Sequence, residues 1–154
     1  MTVSVGAAAP EFEVDGTDGT DDGRRPNALS AYRGQPVVLV FYPADHSPVC
    51  TVQLQTYSHD IGAFADVGAQ VLALSPQSVG EHEAFAAEHD FAFPLLADED
   101  KVVGDAYGIL GPLGFYRRSI IVIDPAGIVR YAHRATAGLT FRPTDEIVDA
   151  VRAL

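Results

Sequence analysis

The sequence predicts an α/β fold in which a mixed central β-sheet is flanked by helices on both faces. Three apolar runs, at residues 37–42, 70–75 and 119–123, have the length and composition of strands buried inside such a sheet. Helical segments separate the first run from the second and follow the second, and crossovers of this kind join parallel strands. A turn at residues 124–127 then reverses the chain and adds an antiparallel strand.

The N-terminal part of the chain supplies an edge strand, a loop and a helical turn. Residues 9–14 include a proline and alternate apolar with acidic side chains, which is typical of a short edge strand. Residues 15–25 are rich in Gly, Asp and Thr and predict a solvated loop or a hairpin. Residues 29–34 predict one helical turn that ends at Gly34 and leads into the strand at residues 37–42.

A strand, a loop and a helix follow one another at the centre of the chain. The strand at residues 37–42 ends at Pro43, and residues 44–49 form a short loop that contains Pro48. After Cys50, apolar side chains recur at spacings of three and four residues, which predicts an amphipathic helix. These side chains are Leu54, Tyr57, Ile61 and Phe64.

The second half of the chain continues the alternation of helices and strands. Ser78 and Glu81 have the spacing of a capping box and predict a helix that runs to about His89. The proline and glycine of the turn described above predict that residues 128–133 return antiparallel to the preceding strand. The remaining elements are an approach to the sheet at residues 93–96, a short helix at 99–107, a loop at 111–116 and a terminal helix at 144–154.

Length and composition predict one domain, residues 1–154, with a sizeable core. A chain of this length buries roughly two-thirds of the surface that it exposes when unfolded. Its 47% hydrophobic and 20% charged residues are typical of globular proteins. A formal net charge of −11 repels phosphate backbones and anionic lipid, so we expect neither nucleic-acid nor membrane partners. Residues 1–10 lack the basic start and apolar core of a signal peptide, so we expect a cytoplasmic protein.

Cys50, the only cysteine, lies where the predicted central strand gives way to a helix. The first turn of a helix presents unpaired backbone N–H groups and the positive end of the helix dipole, which favour an anion such as a thiolate. Because thiolate is the reactive form of cysteine, this position favours a nucleophile. The alternative role is that of a small buried apolar side chain. Pro43 and Pro48 restrict the loop backbone, and we expect them to hold a pocket open and keep water out.

Pro43, Ser47 and Cys50 follow an apolar strand that ends in Phe-Tyr, at the spacing P-x-x-x-T/S-x-x-C. This motif resembles the active-site signature of the peroxiredoxins, the alkyl hydroperoxide reductase and thiol-specific antioxidant group. The resemblance is to the bacterioferritin-comigratory-protein-like, one-cysteine type. Residues 9–12, Ala-Pro-Glu-Phe, also resemble the segment with which the family commonly opens. The resemblance implies a thioredoxin-like fold, which fits the predicted mixed sheet, from about Ala9 onward.

The resemblance also implies that Ser47 positions the peroxide and the attacking sulfur of Cys50. An Arg-Ser pair before an apolar strand resembles the family segment whose arginine reaches the cysteine. That arginine is Arg118, with Arg117 as the less favoured alternative. A guanidinium there would stabilise the thiolate and donate hydrogen bonds to the departing oxygen. The alternatives are a loop hydroxyl or helix cap for Ser47 and a solvated charge for Arg118.

Three residues near Cys50 depart from the family's usual pattern. Ser47 stands where threonine is usual, so the hydroxyl is kept but the methyl that stiffens the side chain is lost. Gln53 stands where many relatives carry a glutamate that orients the arginine. A neutral amide can still hydrogen-bond but forms no ion pair, so we expect Arg118 to be held less firmly or by another group. His46 either tunes the pH dependence of the reaction or is an exposed loop residue.

The predicted function is reduction of hydrogen peroxide and organic hydroperoxides by a single peroxidatic cysteine. Because the chain has no second cysteine, the sulfenic acid of Cys50 has to be reduced by an external thiol or by a thioredoxin- or glutaredoxin-like protein. We expect no bound cofactor. We also expect no metal, since the histidines lack the spacing of metal ligands. A homodimer is compatible with the sequence, which does not identify an interface. The alternative function is a redox-sensing, thioredoxin-like binding module that captures partners through oxidised Cys50 without peroxidase turnover.

Overall fold

The computed structural model describes residues 3–17, 24–135 and 140–154. The strands in these ranges are β1 Glu13–Thr17, β2 Arg24–Ala28, β3 Val37–Phe41, β4 Gln70–Ser75, β5 Leu95–Ala97, β6 Ser119–Ile123 and β7 Val129–Arg134. The helices are α1 Pro48–His59, α2 Ile61–Asp66, α3 Val79–His89, α4 Val102–Ala106 and α5 Thr144–Arg152. Short 3₁₀ turns lie at Leu29–Tyr32 and Pro112–Gly114.

The strands of the described residues form one mixed sheet in the order β2-β1-β5-β4-β3-β6-β7. The three central strands β5, β4 and β3 are parallel, as their helical connections require. β6 pairs antiparallel with β3, and β7 pairs antiparallel with β6 through the predicted turn. A hairpin of β1 and β2 adds the other edge. The predicted α/β class with a mixed sheet is confirmed.

Side chains of the central strands alternate between two hydrophobic cores, one on each face of the sheet. In β3, Val38 and Val40 enter the core that α1, α2, α3 and α5 cover. Val37, Leu39 and Phe41 enter the opposite core, which α4 and the 3₁₀ turn at Leu29–Tyr32 cover. A strand buried on both faces has no polar alternation, which explains the unbroken apolar run in the sequence. Helices on both faces of the sheet are confirmed as well.

The first strand lies later in the chain than the edge strand predicted at residues 9–14. β1 runs from Glu13 to Thr17 and pairs with β2 on one side and β5 on the other, so it is not an edge strand. The hairpin of β1 and β2 is one of the two alternatives predicted for residues 15–25. Gly16 lies where β1 meets β5, and an added Cβ there would lie 2.9 Å from the carbonyl oxygen of Leu95. This glycine therefore permits a close strand approach. Residues 18–23, the middle of that segment, lie outside the described residues.

The helix predicted from Cys50 to Phe64 is divided into two. α1 begins at Pro48, because proline fits the first turn of a helix, and it ends at His59. Asp60 leaves the helical conformation, with φ −90° and ψ 15°, and its carboxylate accepts a 2.7 Å hydrogen bond from the hydroxyl of Thr144. α2 then carries Phe64 into the core separately.

No helix within the described ranges is both long enough and apolar enough to cross a membrane. The assignment of residues 1–154 to a single domain includes residues that the structure does not describe, and it stays a prediction.

Candidate active site

A strand, a tight loop and a helix N-terminus form the framework of the candidate site, as the sequence indicated. The backbone N–H of Tyr42 still donates to the carbonyl of Leu74 on β4, after which Pro43 has no N–H to continue the ladder. The loop turns at His46, which has a positive φ of 63°. Ser47 is extended, with φ −73° and ψ 145°, and directly precedes α1.

Cys50 is the third residue of α1, within the turn whose N–H groups lack helical partners. Its side chain has no exposed surface. It belongs to the same hydrophobic core cluster as Tyr42 and Leu54. The expectation that Pro43 and Pro48 hold a pocket open beside the sulfur is therefore wrong for this conformation. Tyr42 and Asp45 beside it are buried as well, whereas His46 and Pro48 in the same loop are exposed.

Arg118 is the cation that the fold brings to Cys50. β6 runs antiparallel to β3 with Ser119 opposite Phe41, so the residue before Ser119 lies at the end of β3 where the loop begins. The Nη2 atom of Arg118 lies 3.3 Å from Sγ of Cys50, and the side chain is 4% exposed. A buried cation at this distance favours the thiolate electrostatically, since the low local dielectric strengthens the attraction.

Arg117 does not reach the sulfur. Its guanidinium donates to the carbonyl oxygens of Ala135 and Arg134, at 2.9 and 3.0 Å. Neighbouring residues of an extended chain point to opposite sides, which explains why only one of the two arginines faces Cys50. Of the two arginines considered from the sequence, the geometry selects Arg118.

Gln53 occupies the position from which a glutamate would orient the arginine. Its neutral amide binds the guanidinium of Arg118 without an ion pair. Its Oε1 accepts a hydrogen bond from Nη1 of Arg118, and its Nε2 lies 3.4 Å from the hydroxyl of Tyr57. Tyr57 in turn donates to the carbonyl of Arg142 at 2.6 Å. Burial raises the pKa of Tyr57 to about 12, so its hydroxyl remains a donor at neutral pH. A hydrogen-bonded chain therefore fixes the Arg118 guanidinium from its far side.

Ser47 lies in the loop above Cys50 but does not act as a side-chain cap of α1. Its hydroxyl donates to the carbonyl of Ala44 at 3.1 Å. The hydrogen is therefore used within the loop, and the oxygen lone pairs remain to accept a hydrogen bond from an incoming O–H group.

If Cys50 reduces peroxide, as the family resemblance implies, replacing Ser47 by alanine is expected to lower the rate constant for its oxidation about thirtyfold. The change removes one hydrogen bond within the loop and one to the peroxide, worth on the order of 1 kcal/mol each. Replacing Ser47 by threonine keeps the hydroxyl and stiffens the side chain, so we expect a rate equal to or above that of the wild type. Stopped-flow measurement of thiol loss compares the three proteins. Equal rates for the alanine variant and the wild type would remove Ser47 from the site.

Three buried polar side chains beside the loop were not assigned to the site by sequence reasoning. Tyr42 donates to Oδ1 of Asp45 at 2.6 Å, and Nδ1 of His82 lies 2.7 Å from Oδ2 of the same carboxylate. Tyr42 was counted as part of an apolar strand, and Asp45 as part of a loop. The sequence does contain one signal for this cluster. His82 lies one helical turn before the core residue Phe85, so it is on the buried face of α3, where a histidine needs polar partners.

Metal ligation finds no support among the residues that the structure describes, where no three His, Cys, Asp or Glu side chains are grouped to hold an ion.

The sequence resembles known proteins along most of its length. A model described as the AhpC/TSA family matches residues 5–132. Peroxiredoxin Q, chloroplastic, from Oryza sativa subsp. japonica is 32% identical over 154 residues, which are 99% of this chain and 67% of that protein. A peroxiredoxin from Thermoplasma volcanium is 35% identical over 161 residues, covering all of this chain and 76% of that protein.

Solved structures resemble the whole chain in fold. The reduced 2-Cys peroxiredoxin of Plasmodium vivax superimposes with a TM-score of 0.90 at 26% identity, covering 98% of this chain and 96% of that one. AhpC of Mycobacterium tuberculosis superimposes with a TM-score of 0.89 at 23% identity, covering 99% and 93%. The predicted thioredoxin-like fold is thereby confirmed.

Proposed function

We propose, since this chain belongs to the AhpC/TSA family, that Cys50 is its peroxidatic cysteine and that Arg118, Ser47 and Pro43 complete the site. The observation that carries the proposal is the 3.3 Å separation between Nη2 of Arg118 and Sγ of Cys50 in the first turn of α1. A buried sulfur beside a permanent cation and a helix N-terminus is arranged as a nucleophile rather than as an inert core side chain.

The activity class follows from the family. Relatives that match nearly the whole chain are named peroxiredoxins, which are thiol peroxidases, so this chain is a thiol-dependent peroxidase. Its single cysteine fits the one-cysteine type. The alternative, a binding module that captures partners through an oxidised cysteine without turnover, is not favoured by these relatives.

In the proposed reaction the thiolate of Cys50 attacks one oxygen of the peroxide. An S–O bond forms as the O–O bond breaks, the sulfur loses two electrons, and the leaving oxygen takes them. A proton then converts that oxygen into water or an alcohol, and Cys50 is left as a sulfenic acid. Arg118 stabilises the charge as it moves from sulfur to the leaving oxygen.

The loop residues act by positioning the peroxide. Ser47 accepts a hydrogen bond from the peroxide O–H while its own hydrogen remains on Ala44. Pro43 fixes the backbone at the start of the loop and presents no competing N–H. Because Cys50 has no exposed surface, groups around the sulfur have to shift for peroxide to reach it.

The reductant has to come from outside the chain. Peroxiredoxins as a family use thioredoxin-like reductants, and for this chain we propose an external thiol or a thioredoxin- or glutaredoxin-like protein. The first thiol condenses with the sulfenic acid, releasing water and forming a mixed disulfide. A second thiol then attacks the sulfur of the first, forms a disulfide with it and releases Cys50 as the thiolate. A cytoplasmic location and a homodimer stay predictions.

Peroxide consumption measured with a panel of reductants tests this cycle. We expect sustained turnover with at least one small thiol or redoxin, because no resolving cysteine exists in the chain to trap Cys50 in an internal disulfide. Each reductant is also assayed without the protein, as the control for direct reaction with peroxide. A single turnover followed by no further consumption under every reductant would contradict the peroxidase cycle and favour the binding module.

A further inference from the structure

His82 belongs to a buried cluster that the reaction described above does not use. Its ring on α3 has no exposed surface and lies between two oxygen acceptors. Nδ1 is 2.7 Å from Oδ2 of Asp45, and Nε2 is 2.9 Å from the carbonyl oxygen of Leu96 on β5. Tyr42 donates its hydroxyl hydrogen to the other oxygen of the Asp45 carboxylate, at 2.6 Å.

The hydrogen-bond partners define the charge of the ring. A carbonyl oxygen only accepts, so Nε2 of His82 carries a hydrogen toward Leu96. An ionised carboxylate also only accepts, so with Asp45 ionised Nδ1 carries a hydrogen toward it, and the pair is an imidazolium and a carboxylate. The hydroxyl of Tyr42 supports the ionised carboxylate, because burial and then the charge of Asp45 raise the pKa of Tyr42 well above its usual value and keep it a donor.

We infer that His82 is a positioning residue for peroxide reduction, which as a buried imidazolium pairs with Asp45 and fixes the loop at residues 43–49 in its place beside Cys50. The inference rests on the proposed role of Cys50. Asp45 stands between Pro43 and Ser47, so fixing its carboxylate fixes both loop residues of the site. Its backbone N–H is also fixed, by donation to Oε1 of Gln77.

The pairing of His82 with Asp45 affects the reaction because the same loop carries Ser47, which is proposed to bind the peroxide. A displacement of about 1 Å in a positioning group can cost on the order of a hundredfold in rate. Without the charge on His82, the buried carboxylate of Asp45 would lose its ionic partner, and one ring nitrogen would present a lone pair to an oxygen. Both changes favour a loop that leaves its place beside Cys50.

Other charges near the cluster have partners of their own. On α3, Glu81 accepts a hydrogen bond from Gln77, and Glu83 pairs with Arg24 at 2.5 Å. In the loop, His46 lies 3.4 Å from Glu88 on the solvent side. From β3 and α1, the titratable groups that face the pair are Tyr42 and, beyond it, Cys50. From β5 the group that faces the ring is the carbonyl of Leu96.

The protonation of His82 is measured directly by NMR on the reduced wild-type protein labelled with ¹⁵N-histidine, with the resonances assigned by His82→Gln. We expect both ring nitrogens of His82 to carry hydrogens at neutral pH and to show the closely spaced shifts of an imidazolium. The widely separated shifts of a neutral ring would overturn the inference. This measurement is independent of peroxide, so it does not depend on whether Cys50 is the nucleophile.

Kinetics of Cys50 oxidation test the positioning role. We expect His82→Gln to lower the rate constant about tenfold, because the carboxylate of Asp45 is then buried without a cation. We expect the double variant with Asp45→Asn to recover most of that loss, because the buried pair is then neutral. His59→Gln, at the exposed end of α1, is the matched control and keeps the wild-type rate.

The double variant separates positioning through charge from a packing role. If His82 only filled space, adding Asp45→Asn would leave the rate as low as in His82→Gln or lower it further, and that result would overturn the inference. An unchanged rate in His82→Gln would overturn it as well. If wild-type Cys50 itself failed to react with peroxide, the proposed function would fail, whereas the NMR result would still decide the state of His82.

Discussion

Replacing Cys50 by serine is expected to reduce peroxide turnover by at least about a thousandfold, within the range seen when a catalytic nucleophile is removed. Cys50 supplies the only thiol in the chain, and the proposed reaction begins at its sulfur. A serine hydroxyl at neutral pH is un-ionised and is a poor nucleophile toward a peroxide oxygen. The measurement is peroxide consumption with the best reductant of the panel described above.

The control for this variant is its folding. Serine is close to cysteine in size, but it places a hydroxyl in the core beside Tyr42 and Leu54, so the unfolding midpoint should be measured with the activity. The expected outcome is a folded protein without turnover. A Cys50→Ser variant that remained fully active would show that the site lies elsewhere.

Replacing Arg118 by methionine is expected to lower the rate constant for oxidation of Cys50 by about 10²–10³, the loss seen when one preorganised donor to a developing oxyanion is removed. Methionine has a similar length but neither the charge nor the hydrogen bonds of the guanidinium that lies 3.3 Å from Sγ of Cys50. Arg118→Lys is expected to lie between methionine and the wild type, because it keeps the charge but cannot bind Gln53 and Cys50 with one planar group.

Arg117→Met is the matched control for the Arg118 variants. Arg117 is the same residue type one position earlier, and its guanidinium binds the carbonyl oxygens of Ala135 and Arg134. We expect its rate constant for thiol oxidation to stay within about twofold of the wild type, because its charge does not face the sulfur. Equal losses in Arg117→Met and Arg118→Met would contradict the assignment of the catalytic cation.

The central fold was predictable because burial on both faces of a sheet leaves a plain record in the sequence. β3 is apolar throughout, β4 and β6 have polar residues only at their ends, and all three match the predicted runs to within one residue. The hairpin of β1 and β2 could be predicted only as one of two alternatives, because Gly16 and its polar neighbours also have the composition of a loop. What places Gly16 in a strand is close contact with Leu95 and Leu96, which are distant in sequence.

The residues of the candidate site that belong to a sequence motif could be predicted. Those that only tertiary packing brings to the site could not. The place of Cys50 at a helix start follows from the local pattern, whereas Pro43, Ser47 and Arg118 are implied by the resemblance to the peroxiredoxin signature. The pairing of His82 with Asp45 joins α3 to the loop after β3, and because these residues lie 37 positions apart no local pattern predicts it. The burial of Cys50 likewise depends on contacts between residues that are distant in sequence. The prediction that Pro43 and Pro48 hold a pocket open beside the sulfur is therefore wrong.

The most direct test of this account is the rate at which one equivalent of hydrogen peroxide oxidises the thiol of reduced wild-type protein, followed by stopped flow and by mass spectrometry. Preorganised stabilisation of the leaving oxygen predicts a rate at least about a hundredfold above that of free cysteine at the same pH, with the gain of one oxygen atom at Cys50. A thiol that reacted no faster than free cysteine would contradict it.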